Sequence, residues 1–153
     1  MNISNELLEA MVDSLAEVES APEDKRAVAL IKARGLFQAA FEDLSDEDAN
    51  TPELAPVDIM RTHVAQSEYS VLSQPWDIPD IPTYMTAEHA DALLAKGRGL
   101  IADRSARRRA AVNLIGAGIV ALGSVAAGGA GAPAASALIP GISDAFRGLI
   151  GGE

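Results

Sequence analysis

Two histidines, His63 and His89, are the first residues to consider for chemistry in this 153-residue chain, which has no other histidine. Neither stands at the spacing of a known catalytic or metal-binding motif. The stretch Glu88-His89-Ala90-Asp91 brings three potential ligands together in sequence, but adjacent residues on a helix point in different directions and do not converge on one ion. We therefore expect structural or solvent-exposed roles for both histidines.

A second set of candidate ligands lies in an acidic stretch that contains Asp43, Asp46, Glu47 and Asp48. Carboxylate oxygens of this kind can bind a divalent cation. The spacing does not follow the calcium-loop pattern, however, and the glycine that the sharp turn of such a loop needs is missing. The sequence therefore predicts a solvated acidic loop and no metal site.

Motifs for catalysis or cofactor binding are also missing from the sequence. Gly116-Ala117-Gly118 resembles part of a dinucleotide fingerprint, but no strand is predicted before it and the third glycine is out of place. There is no nucleophile-elbow pattern and no phosphate loop. The chain has no cysteine, which excludes a thiolate nucleophile, a disulfide framework and a Cys-based zinc site. We predict a non-enzymatic protein without catalytic residues, metal or cofactor.

The charge of the chain is strongly acidic, with 22 Asp and Glu against 12 Lys and Arg and a formal net charge of −10. This balance argues against a nucleic-acid partner, because neutralising phosphates needs clustered Lys and Arg. One local exception occurs between residues 96 and 109. We call its arginines the arginine collar: Arg98, Arg104, Arg107, Arg108 and Arg109.

An uncharged run of 34 residues follows the collar, from Ala110 to Ser143, and it includes eleven Ala and seven Gly. About 20 apolar residues suffice to cross a bilayer. The many small side chains reduce the gain from burial in lipid. In a membrane protein the collar would stay on the cytoplasmic side near anionic headgroups. Contact with acidic protein surfaces is the alternative interpretation of the collar.

Small side chains recur along the first part of this run. Such ladders allow helix backbones to approach closely, in bilayers and in protein interiors alike. They favour self-association and therefore predict a homo-oligomer or a larger assembly of protein subunits. The helix-packing residues are Ala117, Ala121, Gly123, Ser124, Ala127 and Gly128.

The elements that would position these residues are all helices. Ser4 can cap a first helix, whose apolar stripe is Leu8, Met11, Leu15 and Val18. The Ser20-Ala21-Pro22-Glu23 stretch combines capping-box and N-terminal proline signals and predicts the start of a second helix. Because the break is short, an antiparallel helical hairpin is expected. Gly35 within the second helix indicates either a close helix crossing or a weak point.

The middle of the chain predicts a third helix over 56–71 and then a proline-rich, extended linker. Apolar residues in this linker either close the chain's own core or dock as an arm on another subunit. The docking-arm residues are Trp76, Ile78, Ile81 and Tyr84. We thus divide the chain into an acidic helical domain at 1–72, the linker at 73–85, a helix with the basic collar at 86–109, and an apolar tail at 110–153.

A long helix is expected to start after Thr86 and to continue through the collar into the apolar run, to about residue 127. Gly97 and Gly99 are the places where it would bend or stop. The stretch 128–133 predicts a break, and Pro140-Gly141 predicts a second one. The overall expectation is an all-α fold that ends in a Gly/Ala-rich apolar segment.

In composition, the segment Ala110–Ala137 resembles the membrane-active segments of bacteriophage internal virion (ejection or pilot) proteins and of holins. The resemblance covers 28 of the 153 residues. It implies that a hydrophobic segment is delivered from a soluble or encapsidated state into a membrane. It also implies a location in the virion or the cytoplasm, with or without membrane association.

Three hypotheses follow from the sequence. The first is a structural or assembly protein of the virion type, whose tail packs in an oligomer or enters a membrane. The second is a tail-anchored or holin-like, pore-forming membrane protein with a cytoplasmic acidic domain. The third is an acidic adaptor whose tail is an ordinary buried helical hairpin.

Overall fold

A computed structural model describes residues 4–48, 87–102, 106–127 and 132–151. Across these ranges the regular structure is helical, which confirms the predicted all-α fold. The predicted helix at 56–71, the linker at 73–85 and its docking arm lie outside the described residues. The helices are α1 (Asn5–Ser20), α2 (Glu23–Asp48), α3 (Ala87–Ile101), α4 (Arg107–Ala127) and α5 (Ala132–Gly151).

Helix α1 is an amphipathic helix with a capped start. The Ser4 hydroxyl accepts a hydrogen bond from the backbone N–H of Leu7 at 3.2 Å, as the sequence predicts. This bond satisfies one of the amide donors that the first turn of a helix leaves unpaired. The predicted stripe faces the core: Leu8, Met11, Val12, Leu15 and Val18 are all buried.

Helix α2 follows after two residues and packs on α1, so the predicted hairpin is confirmed. Its first residue is Glu23, directly after Pro22, while Ser20 is still the last residue of α1. No atom outside the helix lies within 4 Å of where a side chain at Gly35 would begin. Gly35 is therefore not a close crossing, and it weakens α2 without a packing benefit.

The expectation of one long helix through the collar is wrong. Helix α3 ends at Ile101, two residues beyond Gly99, and α4 begins at Arg107. The two helices then pack along one another. The reason is burial: α3 carries an apolar stripe that includes Leu93 and Leu94, and folding back covers this stripe with α4 instead of leaving both helices in water.

The predicted break after Ala127 is confirmed, since α4 ends there and α5 begins at Ala132. The predicted break at Pro140-Gly141 is wrong, because α5 continues through Pro140 to Gly151. A proline inside a helix removes one backbone hydrogen bond and costs about 3 kcal/mol. Buried residues on both sides of it, Ile139 and Ile142 among them, hold one continuous stripe of α5 against the core and offset this cost.

Helix α4 lies at the centre of the structure. It packs against α2, α3 and α5, while α1 packs on α2 and α5. All fifteen residues from Ala110 to Ser124 are buried. A single hydrophobic cluster contains side chains from all five helices. The predicted apolar tail is thus the element around which the other helices are arranged.

Helix α2 approaches α4 closely through Phe37. A Cβ added at Gly118 would overlap the Phe37 ring, so the ring occupies the space that a side chain would need. Phe37 also meets Phe146 of α5 edge-to-face, with ring centroids 5.8 Å apart and an interplanar angle of 83°. This geometry is favourable for aromatic pairs. One fully buried ring therefore joins α2, α4 and α5.

Replacing Gly118 by Ala should lower the free energy of unfolding by roughly 1–2 kcal/mol. The overlap with the rigid Phe37 ring costs about 1–3 kcal/mol, and the better helix propensity of Ala offsets part of this. Gly35→Ala is the matched control and should stabilise the protein by up to about 1 kcal/mol, because nothing obstructs the added methyl group. Urea unfolding followed by circular dichroism measures both changes.

Candidate functional site

The described part of the arginine collar and the two helices that follow it form the candidate site. We call α4 and α5 together the apolar hairpin. The two helices are in contact and only four residues separate them, so they run antiparallel. The site therefore combines a large apolar surface with positive charge at the start of α4.

Among the described residues, one helix is long and apolar enough to cross a membrane. It covers Arg107–Ala126, and 83% of its most apolar stretch is buried inside the protein. A helix that is hydrophobic on all sides is typical of a protein core as well as of a membrane span. Its composition fits both environments, and in this fold α2, α3 and α5 provide the apolar surroundings.

The described collar arginines lie on two helices. Arg98 of α3 reaches α5, where its Nη2 donates to the carbonyl oxygen of Gly141 at 3.4 Å. Gly141 makes room for this contact, since a Cβ there would lie 2.9 Å from the same nitrogen. Arg107 Nη2 donates to Asn5 Oδ1 at 2.7 Å and so joins the start of α4 to the start of α1. Arg109 is exposed, and Arg104 lies outside the described residues.

The position of Arg107, Arg108 and Arg109 is electrostatically unfavourable for the helix itself. They occupy the first turn of α4, which contains no acidic residue. The N-terminal end of a helix carries a partial positive charge, so each cation there costs typically 0.3–1 kcal/mol at low ionic strength. Groups outside α4 must compensate for this cost, and Asn5 is one of them.

Four of the predicted helix-packing residues pack inside the chain. Ala117 and Ala121 are fully buried, and Gly123 and Ser124 are buried as well. Ala127 is the last residue of α4, and Gly128 lies outside the described residues. These small side chains allow α2, α3 and α5 to approach α4 closely. Their predicted role between subunits stays a prediction, since in this fold the ladder faces neighbouring helices of the same chain.

Helix α5 has an outer face that the sequence pattern alone did not reveal. Pro133, Ala134, Ala137 and Pro140 are exposed, and no charged residue occurs before Asp144. Asp144 then pairs with Arg147, with Nη1 and Oδ1 2.9 Å apart on the surface. The signal for this face is the uncharged run itself, but which residues of the run are exposed depends on how α5 packs.

The polar groups within the hairpin are few. Asn113 is buried, and its Nδ2 donates to the carbonyl oxygen of Arg109 at 2.8 Å, one turn earlier in the same helix. Ser143 is buried on α5. The described ranges contain no group of three His, Cys, Asp or Glu residues that could hold a metal ion. His89 lies on α3, and His63 is outside the described residues. The hairpin is thus built for apolar contact.

Comparisons of this chain with protein-family models, with curated proteins and with solved structures find no match.

The hydrogen bond between Arg107 and Asn5 can be tested by changing its acceptor. Asn5→Ala should destabilise the protein by about 1 kcal/mol, the usual contribution of such a bond. Asn5→Asp should stabilise it by a similar amount at low salt, because the bond becomes charge-assisted and the acid lies in the first turn of α1. Urea titrations measure both effects.

The same titrations provide the control. In an Arg107→Gln background the two Asn5 variants should differ from each other by much less. Part of the Asn5→Asp gain should also disappear in 1 M NaCl, which screens partly exposed charges. An Asn5→Asp gain of equal size with and without Arg107 would contradict the assigned contact.

Proposed function

We propose that this protein is a non-enzymatic structural or assembly protein that folds as a water-soluble helical bundle and acts through contacts with other protein subunits. The observation that supports this proposal is the burial of α4. Its apolar residues from Ala110 to Ser124 are covered by the chain's own helices, so they need neither lipid nor a second copy to leave water.

The exposed surface of the bundle favours a protein partner over a nucleic acid. The outward face of α1 carries exposed acids, among them Glu9, Asp13 and Glu17. The whole chain has a net charge of −10. Phosphate backbones repel such a surface, whereas basic protein surfaces are attracted to it. A component of a virion-type assembly, as the composition of the apolar segment suggests, is the class that we favour.

A tail-anchored or holin-like membrane protein is the second candidate. The length of α4 and its uncharged composition after Arg109 favour it, because about 20 apolar residues are sufficient for a span. In that case α4 would have to reside in lipid permanently, and the apolar sides of α2 and α3 would lose the helix that covers them. The two candidates therefore differ in where α4 is at rest.

Hydrogen exchange of the full-length protein, prepared without detergent, distinguishes these resting states. We expect the protein in the soluble fraction, with the backbone amides of Ala110–Ser124 among the slowest to exchange, because the most buried helices open only with global unfolding. The exposed first half of α5 should exchange faster. Extraction only by detergent, or fast exchange along α4 in water, would favour the permanently anchored alternative.

The assembly role has its own test. Mass spectrometry should find the protein at a fixed ratio to other subunits in purified particles from cells that produce it, and not in their washed membranes. A protein found only in the membrane fraction would contradict the proposed role.

A further inference from the structure

The outer surface of the bundle is charged on some helices and uncharged on part of α5. The outward faces of α1, α2 and α3 carry charges, as at Asp13, Lys32 and Asp91. The outward face of α5 between Ala132 and Ile142 carries none, although residues such as Ala134 and Ala137 are exposed. Core packing explains why α4 has no charge after Arg109. It does not explain why the water-facing side of α5 has none.

The charges that border the uncharged run are all at one end of the apolar hairpin. Arg107, Arg108 and Arg109 begin α4, and Asp144 and Arg147 lie in the second half of α5. Because the helices are antiparallel, these groups belong to the same end. The opposite end, where α4 stops at Ala127 and α5 begins at Ala132, has no charged residue on either helix.

The length of α4 matches a bilayer, and the uncharged part of α5 reaches partway across one. The 18 residues from Ala110 to Ala127 span about 27 Å at ~1.5 Å per residue, and the 12 uncharged residues of α5 before Asp144 span about 18 Å. The hydrocarbon core is about 30 Å thick. Asp144 and Arg147 form an ion pair near the charged end, so no unpaired charge of α5 has to enter deeply.

We infer that the apolar hairpin is a lipid-inserting element that the water-soluble bundle carries in a covered form. It enters an anionic bilayer with its uncharged end first, so that the collar and the Asp144–Arg147 pair stay on the side of entry. There the collar arginines meet lipid phosphates, and α1, α2 and α3 stay on the same side. This inference goes beyond the proposed function and rests only on its first part, the water-soluble bundle.

Two features of the structure favour such a transfer. The buried side chains of α4 exchange one apolar environment for another, because lipid tails are as apolar as a protein core. Lipid phosphates at the membrane surface would also attract the exposed Arg109 in the first turn of α4. The released α1 keeps an apolar stripe opposite a charged face, which is the pattern of helices that lie at a bilayer surface.

The test uses one substitution at two sites. Ala137 of α5 and Ala92 of α3 are both exposed, so an added aspartate faces water in the bundle in either variant. Only Ala137 belongs to the hairpin and would enter the hydrocarbon. The probe is flotation of the full-length protein with vesicles of phosphatidylcholine and phosphatidylglycerol at 3:1, compared with phosphatidylcholine alone. Circular dichroism and gel filtration without lipid establish that both variants fold like the parent protein.

We expect the parent protein and Ala92→Asp to float to the same extent with anionic vesicles, and Ala137→Asp to bind at least about tenfold more weakly, because a carboxylate within the span is costly. Asn5→Ala, which loosens the attachment of α4 to α1, should raise the inserted fraction several-fold. Arg109→Gln should weaken binding to anionic vesicles and leave the weaker binding to neutral ones unchanged.

Three results would overturn the inference. Equal flotation of the Ala137→Asp and Ala92→Asp variants would mean that another surface binds lipid. The absence of flotation for the parent protein and for Asn5→Ala would mean that the hairpin does not leave the bundle. A change of oligomeric size without lipid in Ala137→Asp alone would mean that a second copy of the chain covers this face. In each case the exchange and particle experiments still decide the proposed function independently.

Discussion

The structure depends on the close approach of α2 to α4, where the Phe37 ring fills the space that Gly118 leaves open. A side chain at residue 118 would push α2 outward, and the edge-to-face contact of Phe37 with Phe146 would be lost with it. The three buried phenylalanine rings, Phe37, Phe41 and Phe146, all belong to α2 and α5. Since protein interiors are packed as densely as organic crystals, such a displacement cannot be absorbed locally. Glycine at position 118 is therefore a packing requirement.

The elements of the fold that can be predicted from the sequence are those whose signals come from neighbouring residues. The Ser4 cap, the stripe of α1, the hairpin of α1 and α2 and the end of α4 at Ala127 rest on neighbouring residues, and these predictions hold. The predicted acidic loop with Asp43, Asp46, Glu47 and Asp48 is wrong, because α2 continues as a helix to Asp48. The two other errors concern tertiary packing. Gly97 and Gly99 indicate a bend or stop near Ile101, but the packing of α3 back on α4 depends on tertiary contacts. The continuation of α5 through Pro140 also depends on contacts with other helices.

The predictions for the candidate site divide in the same way, between properties of single residues and the contacts that these residues make in the fold. The collar, the uncharged run and the ladder of small residues are visible in the sequence, because charge and size are properties of single residues. The contacts that these residues make in the fold cannot be predicted from the sequence. Ala117 and Ala121 prove to be buried within the chain, and only the orientation of α5 identifies Ala134 and Ala137 as exposed. Composition cannot separate a core helix from a membrane span, because both environments select for the same side chains.

The central position of α4 also has a consequence for how the chain acquires its structure during synthesis. Phe37 and Gly118 are 81 residues apart in sequence, and the ribosome produces α1, α2 and α3 before any of α4. Until then the apolar stripes of the three earlier helices have no common core to cover. Contacts between distant residues form slowly, because long loops must close first. The nascent protein therefore exposes apolar surface until α4 emerges from the ribosome. A chain with exposed apolar surface is prone to aggregation.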